Sequence, residues 1–156
     1  MNHWLMKSEP DVFGIEHLKA RPKQTAPWDG VRNFQARNFM RAMKRGDLVF
    51  FYHSSCPEPG VVAVAEVVKE AYPDHTAWDR ASDHFDPKST PERPLWYMVD
   101  VKLVRELKQP VSLERIKAKP ALKKMRLVQR GNRLSVMPVS AAEWKTILSM
   151  EKEKLK

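Results

Sequence analysis

An α+β domain built on a small curved or barrel-like sheet is the fold that this 156-residue chain predicts. Three observations carry that expectation. Short apolar runs of strand character are separated by short helical runs. They do not follow the regular βαβ alternation of a doubly wound sheet. No GxGxxG or GxxxxGK[ST] loop is present to cradle a dinucleotide or a nucleoside triphosphate. With 42% hydrophobic residues the chain can form a core of its own at a common domain size, and it reads as one domain over 1–150. The charged tail 151–156 is expected to fray.

His3 to Lys7 reads as a short strand closed by Ser8-Glu9-Pro10-Asp11, with Asp11 the expected N-cap of a helix carrying Phe13, Ile15 and Leu18. The strand ends on Lys7, Ser8 and Glu9. A cation, a hydroxyl and a carboxylate supply the donors and acceptors that read a base edge, and equally those of a capped turn with a solvent ion pair. Next comes PWDGVRNFQARNFMR (27–41), where Trp28 lies between a proline and the turn pair Asp29-Gly30, so its ring is expected at a loop tip. Asn33 is a good N-cap for a helix with Phe34, Phe39, Met40 and Met43 near helical spacing, while Arg32, Arg37, Arg41 and Arg45 recur about once per turn. A flat ring, an amide and guanidinium groups together suit a slot for a planar polar ligand beside an anionic backbone. A tryptophan folded into the core behind a solvated arginine face is the competing reading.

Gly46 ends that helix, and 47–53 is a strand apolar on both faces until its polar end, Tyr52-His53-Ser54-Ser55. The β-branched run 61–68, entered through Pro59-Gly60, lies close enough to pair with it antiparallel. Residues 71–94 are irregular, with four prolines, and Trp78 and Phe85 are expected to pin them to the body. His75, Asp79, Asp83, His84 and Asp86 fall there too, but at no recognised metal-ligand spacing. Residues 95–107 alternate cleanly, 112–116 and 120–125 read as short helices, and 134–139 as a last strand. Ser140 and Glu143 form a capping box for a terminal helix with Trp144, Ile147 and Leu148 as its buried stripe.

Net charge is +9, and its distribution is lopsided. Residues 1–100 hold 13 Lys/Arg against 14 Asp/Glu, whereas 101–156 hold 15 against 5. Eleven basic residues between Lys102 and Arg133 meet only Glu106 and Glu114. Such a block is a footprint for a polyanion, nucleic acid first, with a membrane surface or mere solubility as the bland readings. The longest uncharged apolar run, Val61–Ala65, cannot span a bilayer, and no signal peptide is evident. One cysteine, Cys56, leaves no internal disulfide and no CxxC metal pair. A cytoplasmic monomer without metal, cofactor or membrane partner is expected. Catalysis is disfavoured. His53 with Ser54 or Cys56, and Glu9 as an acid, lack an orienting third group, and the absence of HxE with PCxxC excludes a zinc deaminase.

Read in order, WLMKSEP (4–10), WDGVRNFQARNFMR (28–41), FYHSS (51–55), GVVAVAEVVKEAYPD (60–74) and WYMVDV (96–101) resemble the EVE domain family over almost the whole chain. The resemblance implies a PUA-like fold, a compact β-barrel flanked by short helices and related to the YTH domains that read methylated adenine. It also implies a reader of a modified base, with a modified cytosine such as 5-methylcytosine the usual proposal, in DNA or RNA. Carried over by position, the base pocket would comprise Lys7, Ser8, Glu9, Trp28, Gly30, Val31, Asn33, Tyr52, His53 and Ser54. Trp28 would stack on the base, and Asn33 with Ser8 or Ser54 would bond its edge. Arg32, Arg37, Lys102, Arg130 and Arg133 would hold phosphates. Tyr52, Trp96 and Tyr97 stand open as the ring partner of Trp28. An RNA-binding domain linked to RNA modification, or an enzyme acting on nucleic acid, are the alternatives.

Overall fold

Trp4, Leu5 and Met6 are buried at consecutive positions, a pattern that requires a strand covered on both faces. The computed structural model describes residues 1–153 and places that strand inside the sheet. β1 (His3–Ser8) runs parallel to β3 (Leu48–His53) and antiparallel to β6 (Val136–Val139). β4 (Gly60–Pro73) pairs antiparallel with β3, at Tyr52–Val61 and His53–Gly60, and along its other edge with β5 (Tyr97–Ser112). β2 (Thr25–Pro27) completes the six-stranded order β2-β5-β4-β3-β1-β6.

The fold is therefore mixed α+β, as expected, but in place of the expected compact β-barrel the described residues form an open sheet. Its two edges, β2 and β6, are three and four residues long and do not pair with each other among the described residues. Each edge carries a proline, Pro27 or Pro138, which lacks the N–H that a closing ladder would need. Register shifts along the β4–β5 pair bend the sheet instead. β4 also outruns the expected 61–68. Its polar extension pairs Lys69 with Asp100 and Pro73 with Tyr97, contacts that no local pattern announces.

The first helix is two. α1 (Pro10–Phe13) has Glu9, not Asp11, at its N-cap, because Pro10 already occupies the first turn, and extended Gly14 separates it from α2 (Ile15–Ala20). In α3 (Phe34–Ala42) the Asn33 side chain accepts the Ala36 N–H at 2.9 Å, as the cap reading expects. Ser112 caps α4 (Leu113–Ala118), and only a single 3-10 turn forms at Pro120–Leu122. The Ser140–Glu143 capping box opens α5 (Ala141–Met150), which buries Trp144, Ile147 and Met150, with Leu148 partly covered. Fraying does not begin at 151. Glu151 is buried and accepts bonds from the Arg105 guanidinium and the Lys108 N–H, while 154–156 lie outside the described residues.

The irregular segment after β4 is held by polar contacts, and of the two rings expected to pin it Trp78 is half-buried. Phe85 is exposed, whereas Asp74 and Ser89 are fully buried. Ser89 Oγ accepts the Leu95 N–H, and Asp86 accepts the Trp96 indole N–H at 2.7 Å.

Candidate nucleic-acid interface

β1 and β3 end side by side, with Ser8 opposite His53. Beside the β1 end lies a cavity of about 540 Å³, walled by Lys7, Ser8 and Glu9, by Val12 and Phe13 of α1, by Arg21, by the segment Pro27–Arg32, and by His84 and Ser135. Long-range bonds set these walls. The Lys7 N–H donates to Ser135 O at 2.8 Å, and the Trp28 N–H to Val99 O at 2.7 Å.

Trp28 is not the open tip expected from its turn. Its side chain is only 6% exposed, and it meets Phe51 (5.3 Å) and Phe13 (6.1 Å) edge to face. Those two rings, and not Tyr52, Trp96 or Tyr97, are its partners. Because Phe13 also lines the cavity, the two rings form a perpendicular aromatic corner. Gly30 adopts φ +79°, and a Cβ there would lie 2.6 Å from the His84 Nε2, so the imidazole closes over a backbone without a side chain. The Gly30 N–H and the Arg32 guanidinium both donate to Asp74 Oδ2, at 2.8 and 3.0 Å. Burial by itself would raise the Asp74 pKa. The Thr76 hydroxyl, the Gly30 N–H, Arg32 and the Thr76 N–H outweigh it and hold the carboxyl below its ordinary value.

Four charged side chains that line the cavity, Lys7, Glu9, Arg21 and Asp29, are in no ion pair among the described residues. Lys7 makes no ion pair among the described residues. Burial pulls its pKa down, and its Nζ lies 5.8 Å from the Tyr52 ring centroid. Glu9 is exposed and has no side-chain bond among the described residues. A cation, a carboxylate, a hydroxyl and an aromatic corner around one hollow suit a flat heterocycle with both donors and acceptors on its edge.

The structure divides the predicted site. Lys7, Ser8, Glu9, Trp28, Gly30, Val31 and Arg32 share the cavity. Tyr52, His53 and Ser54 lie off its lining. Tyr52 is buried, and that burial, with Cys56 nearby, pushes its hydroxyl up to about 12. The His53 Nε2 accepts the Ile15 N–H at 3.1 Å, burial lowers its pKa, and the Ser54 N–H is bonded to Ser8 O. Asn33 is occupied as a cap and lines a neighbouring cleft. Of the expected phosphate contacts, Arg32 is neutralised by Asp74, Arg37 donates to Leu95 O, and Lys102 is exposed on β5 opposite Thr25 and lines neither hollow.

Arg130 and Arg133 do come together, with Arg126, in that cleft of about 400 Å³, which no acidic residue lines. It adjoins the cavity through the chain neighbours Arg32–Asn33 and Leu134–Ser135. The rest of the basic block is partly neutralised, Arg105 by Glu151 and both Arg115 and Lys119 by Glu153. Sequence reasoning missed Phe13, Arg21 and Ser135, took Arg126 only as part of the basic block, and gave His84 no role once a metal site was set aside, because each reaches its place through contacts far along the chain. A guanidinium 5.4 Å over the Phe13 ring, for instance, leaves no trace in the spacing of Arg21 and Phe13.

Known proteins resemble this chain along most of its length. Thymocyte nuclear protein 1 of mouse is 52% identical over 167 residues, spanning 96% of this chain and 74% of the mouse protein. A structure of human THYN1 protein in complex with 5-methylcytosine containing DNA has a TM-score of 0.95 at 47% identity, covering 99% of this chain and 100% of that one. A Pseudomonas syringae protein matches at 0.92 and 50% identity over 96% of this chain and 99% of its own. A Zymomonas mobilis ASCH protein, 11% identical with a TM-score of 0.55, shares the fold alone. The expectation of a cytoplasmic protein is overturned, since the mouse, human and chicken relatives are named as nuclear. A lone cysteine suits the nucleus as well, because both compartments keep thiols reduced. No helix among the described residues is long and apolar enough to cross a membrane. The EVE domain model matches residues 2–150, and with that match and those relatives the chain belongs to the EVE domain family.

Proposed function

We propose that this chain is a non-enzymatic nucleic-acid-binding domain of PUA-like type that takes one modified base, 5-methylcytosine, into the Trp28 cavity. The observation that carries the reading is the union of an aromatic corner with an unpaired carboxylate and ammonium in one hollow, beside an arginine cleft free of acids. The human relative's complex with 5-methylcytosine containing DNA supports DNA as the polymer. Cytosine offers an amino donor at N4 and acceptors at N3 and O2. Glu9 accepts from N4, while Lys7 or Ser8 donates to the acceptors. Thymine and uracil place an oxygen where cytosine has its amino group, so the same carboxylate turns them away. Stacking on Trp28 or Phe13 returns ~1–3 kcal/mol per base and offsets part of the few kcal/mol that extrusion costs.

The 5-methyl group adds ~0.8 kcal/mol when buried against Val12, Val31 or Phe13, about fourfold in affinity. Arg126, Arg130 and Arg133 hold phosphates and supply salt-dependent, sequence-blind affinity. A hydrolytic role for His53 is disfavoured because its Nε2 is already engaged by the Ile15 N–H. In this reading one chain binds one modified base as a monomer. The test is an equilibrium titration of matched oligonucleotides, DNA and RNA, carrying either one 5-methylcytosine or plain cytosine. The methylated DNA is expected to bind at least about fourfold more tightly. Equal binding of the pair in both polymers would contradict the proposal.

A further inference from the structure

Five large apolar side chains are exposed among the described residues, and three of them line the cavity or lie within two positions of a residue that does. Val12 lines it, Phe85 adjoins the lining residue His84, and Phe34 follows Arg32 and Asn33. Phe34 is the least explicable as packing. It opens α3, is 55% exposed, and lies nearly parallel to Trp96 at 4.6 Å. The Arg37 guanidinium is 4.8 Å from the Phe34 centroid and 6.0 Å from the Trp96 centroid. Those three separations place the cation to one side of the Trp96 contact and not across the Phe34 ring from it, and more than half of Phe34 stays exposed. Trp96 is fixed from behind by its indole bond to Asp86 and lies 5.5 Å from the Arg32 guanidinium, which itself lines the cavity.

An exposed aromatic ring backed by a second ring, two residues along the chain from Arg32 of the base slot and flanked by guanidinium groups, has the chemistry of a second stacking site. Extruding one base from a strand bares a face of each neighbour to water. We propose that Phe34 is a platform for the base adjacent to the recognised one, stacking on the face that extrusion exposes. This rests on the base-reading function proposed above. The Arg37 guanidinium beside Phe34, and the acid-free arginine cleft that Asn33 and Gln35 line on either side of Phe34 in the chain, favour a nucleic-acid occupant over an apolar protein partner. A platform of this kind reads no methyl group, so it strengthens methylated and plain sites alike.

The test combines a protein variant with removal of a base. Phe34→Ala and Phe34→Tyr are titrated against duplexes holding one central 5-methylcytosine or cytosine, each also made with an abasic residue at the 5′ or the 3′ neighbour. Phe34→Ala is expected to bind both intact duplexes about 5- to 100-fold more weakly by the same factor, and Phe34→Tyr to bind like wild type. The Phe34→Ala penalty is expected to vanish when the abasic residue occupies one neighbouring position and to persist at the other. Wild-type affinity of Phe34→Ala, or a penalty that survives both abasic substitutions as a folding defect would, overturns the platform. Loss of methyl preference in the wild-type protein would instead strike the base-reading function, and the two failures are thereby told apart.

Discussion

The adjacent ends of β1 and β3 are both polar and lie in register, yet they have opposite fates. Lys7, Ser8 and Glu9 face a cavity with their charged groups in no ion pair among the described residues, whereas Tyr52 is buried, His53 holds the first N–H of α2, and Ser54 is tied to Ser8 through its backbone. Polar residues at a strand end are thus only an offer of function. What decides is whether the rest of the chain supplies them with partners. Tyr52 even serves the other end, since its ring lies beneath the Lys7 ammonium.

The contrast can be broken most forcefully at its support. Asp74→Ala leaves the Arg32 guanidinium and the Gly30 N–H without their acceptor, and because Arg32 keeps some solvent contact the expected loss is ~2–4 kcal/mol, measured by urea denaturation. The same carboxylate gives a pH signature. Its folded pKa lies below the unfolded value of about 3.9, so its contribution is complete above that pH and is lost as pH falls through the folded value. Wild-type stability is therefore expected to drop below about pH 4, and the Asp74→Ala variant to show less of that drop.

Trp28→Phe sharpens the cavity side of the comparison. Trp28→Ala would cost ~3–5 kcal/mol of stability, since the indole is buried, and would confuse folding with binding. The phenylalanine variant retains a ring and is expected to weaken methylated DNA about fivefold in a fluorescence titration. Arg130→Ala and Arg133→Ala act on the cleft. Each is expected to weaken methylated and plain DNA equally and to flatten the slope of log affinity against log salt by about one unit. The smallest effect belongs to the β3 end. Burial lowers the folded pKa of His53, so its neutral form stabilises the fold above the unfolded value of about 6.5, and that contribution is expected to be lost as pH falls from there. His53→Ala should remove that step from the pH–stability profile.

Much of the architecture was legible because it is written locally. Asn33 as an N-cap, the Ser140–Glu143 box, the doubly buried β3 run and the short β3–β4 connection all follow from residues a few positions apart. What escaped was written at a distance. Trp28 reads as a loop tip until Val99 draws its backbone in and Phe51 and Phe13 cover its ring. The basic block reads as one face until Glu151 and Glu153, which the sequence places in a fraying tail, take three of its cations. Prolines at both sheet edges were visible, but only the strand order gives them their meaning.

The division between the two strand ends is tested most directly by the ratio of affinities for oligonucleotides carrying 5-methylcytosine or thymine at one position. These bases share the methyl group and differ at the edge assigned to Glu9. Wild-type protein is expected to favour 5-methylcytosine about 10- to 100-fold, Glu9→Gln to lose most of that ratio without a change in melting temperature, and His53→Ala to melt several degrees lower with the ratio intact. A ratio unmoved by Glu9→Gln, or one abolished by His53→Ala, would contradict the account.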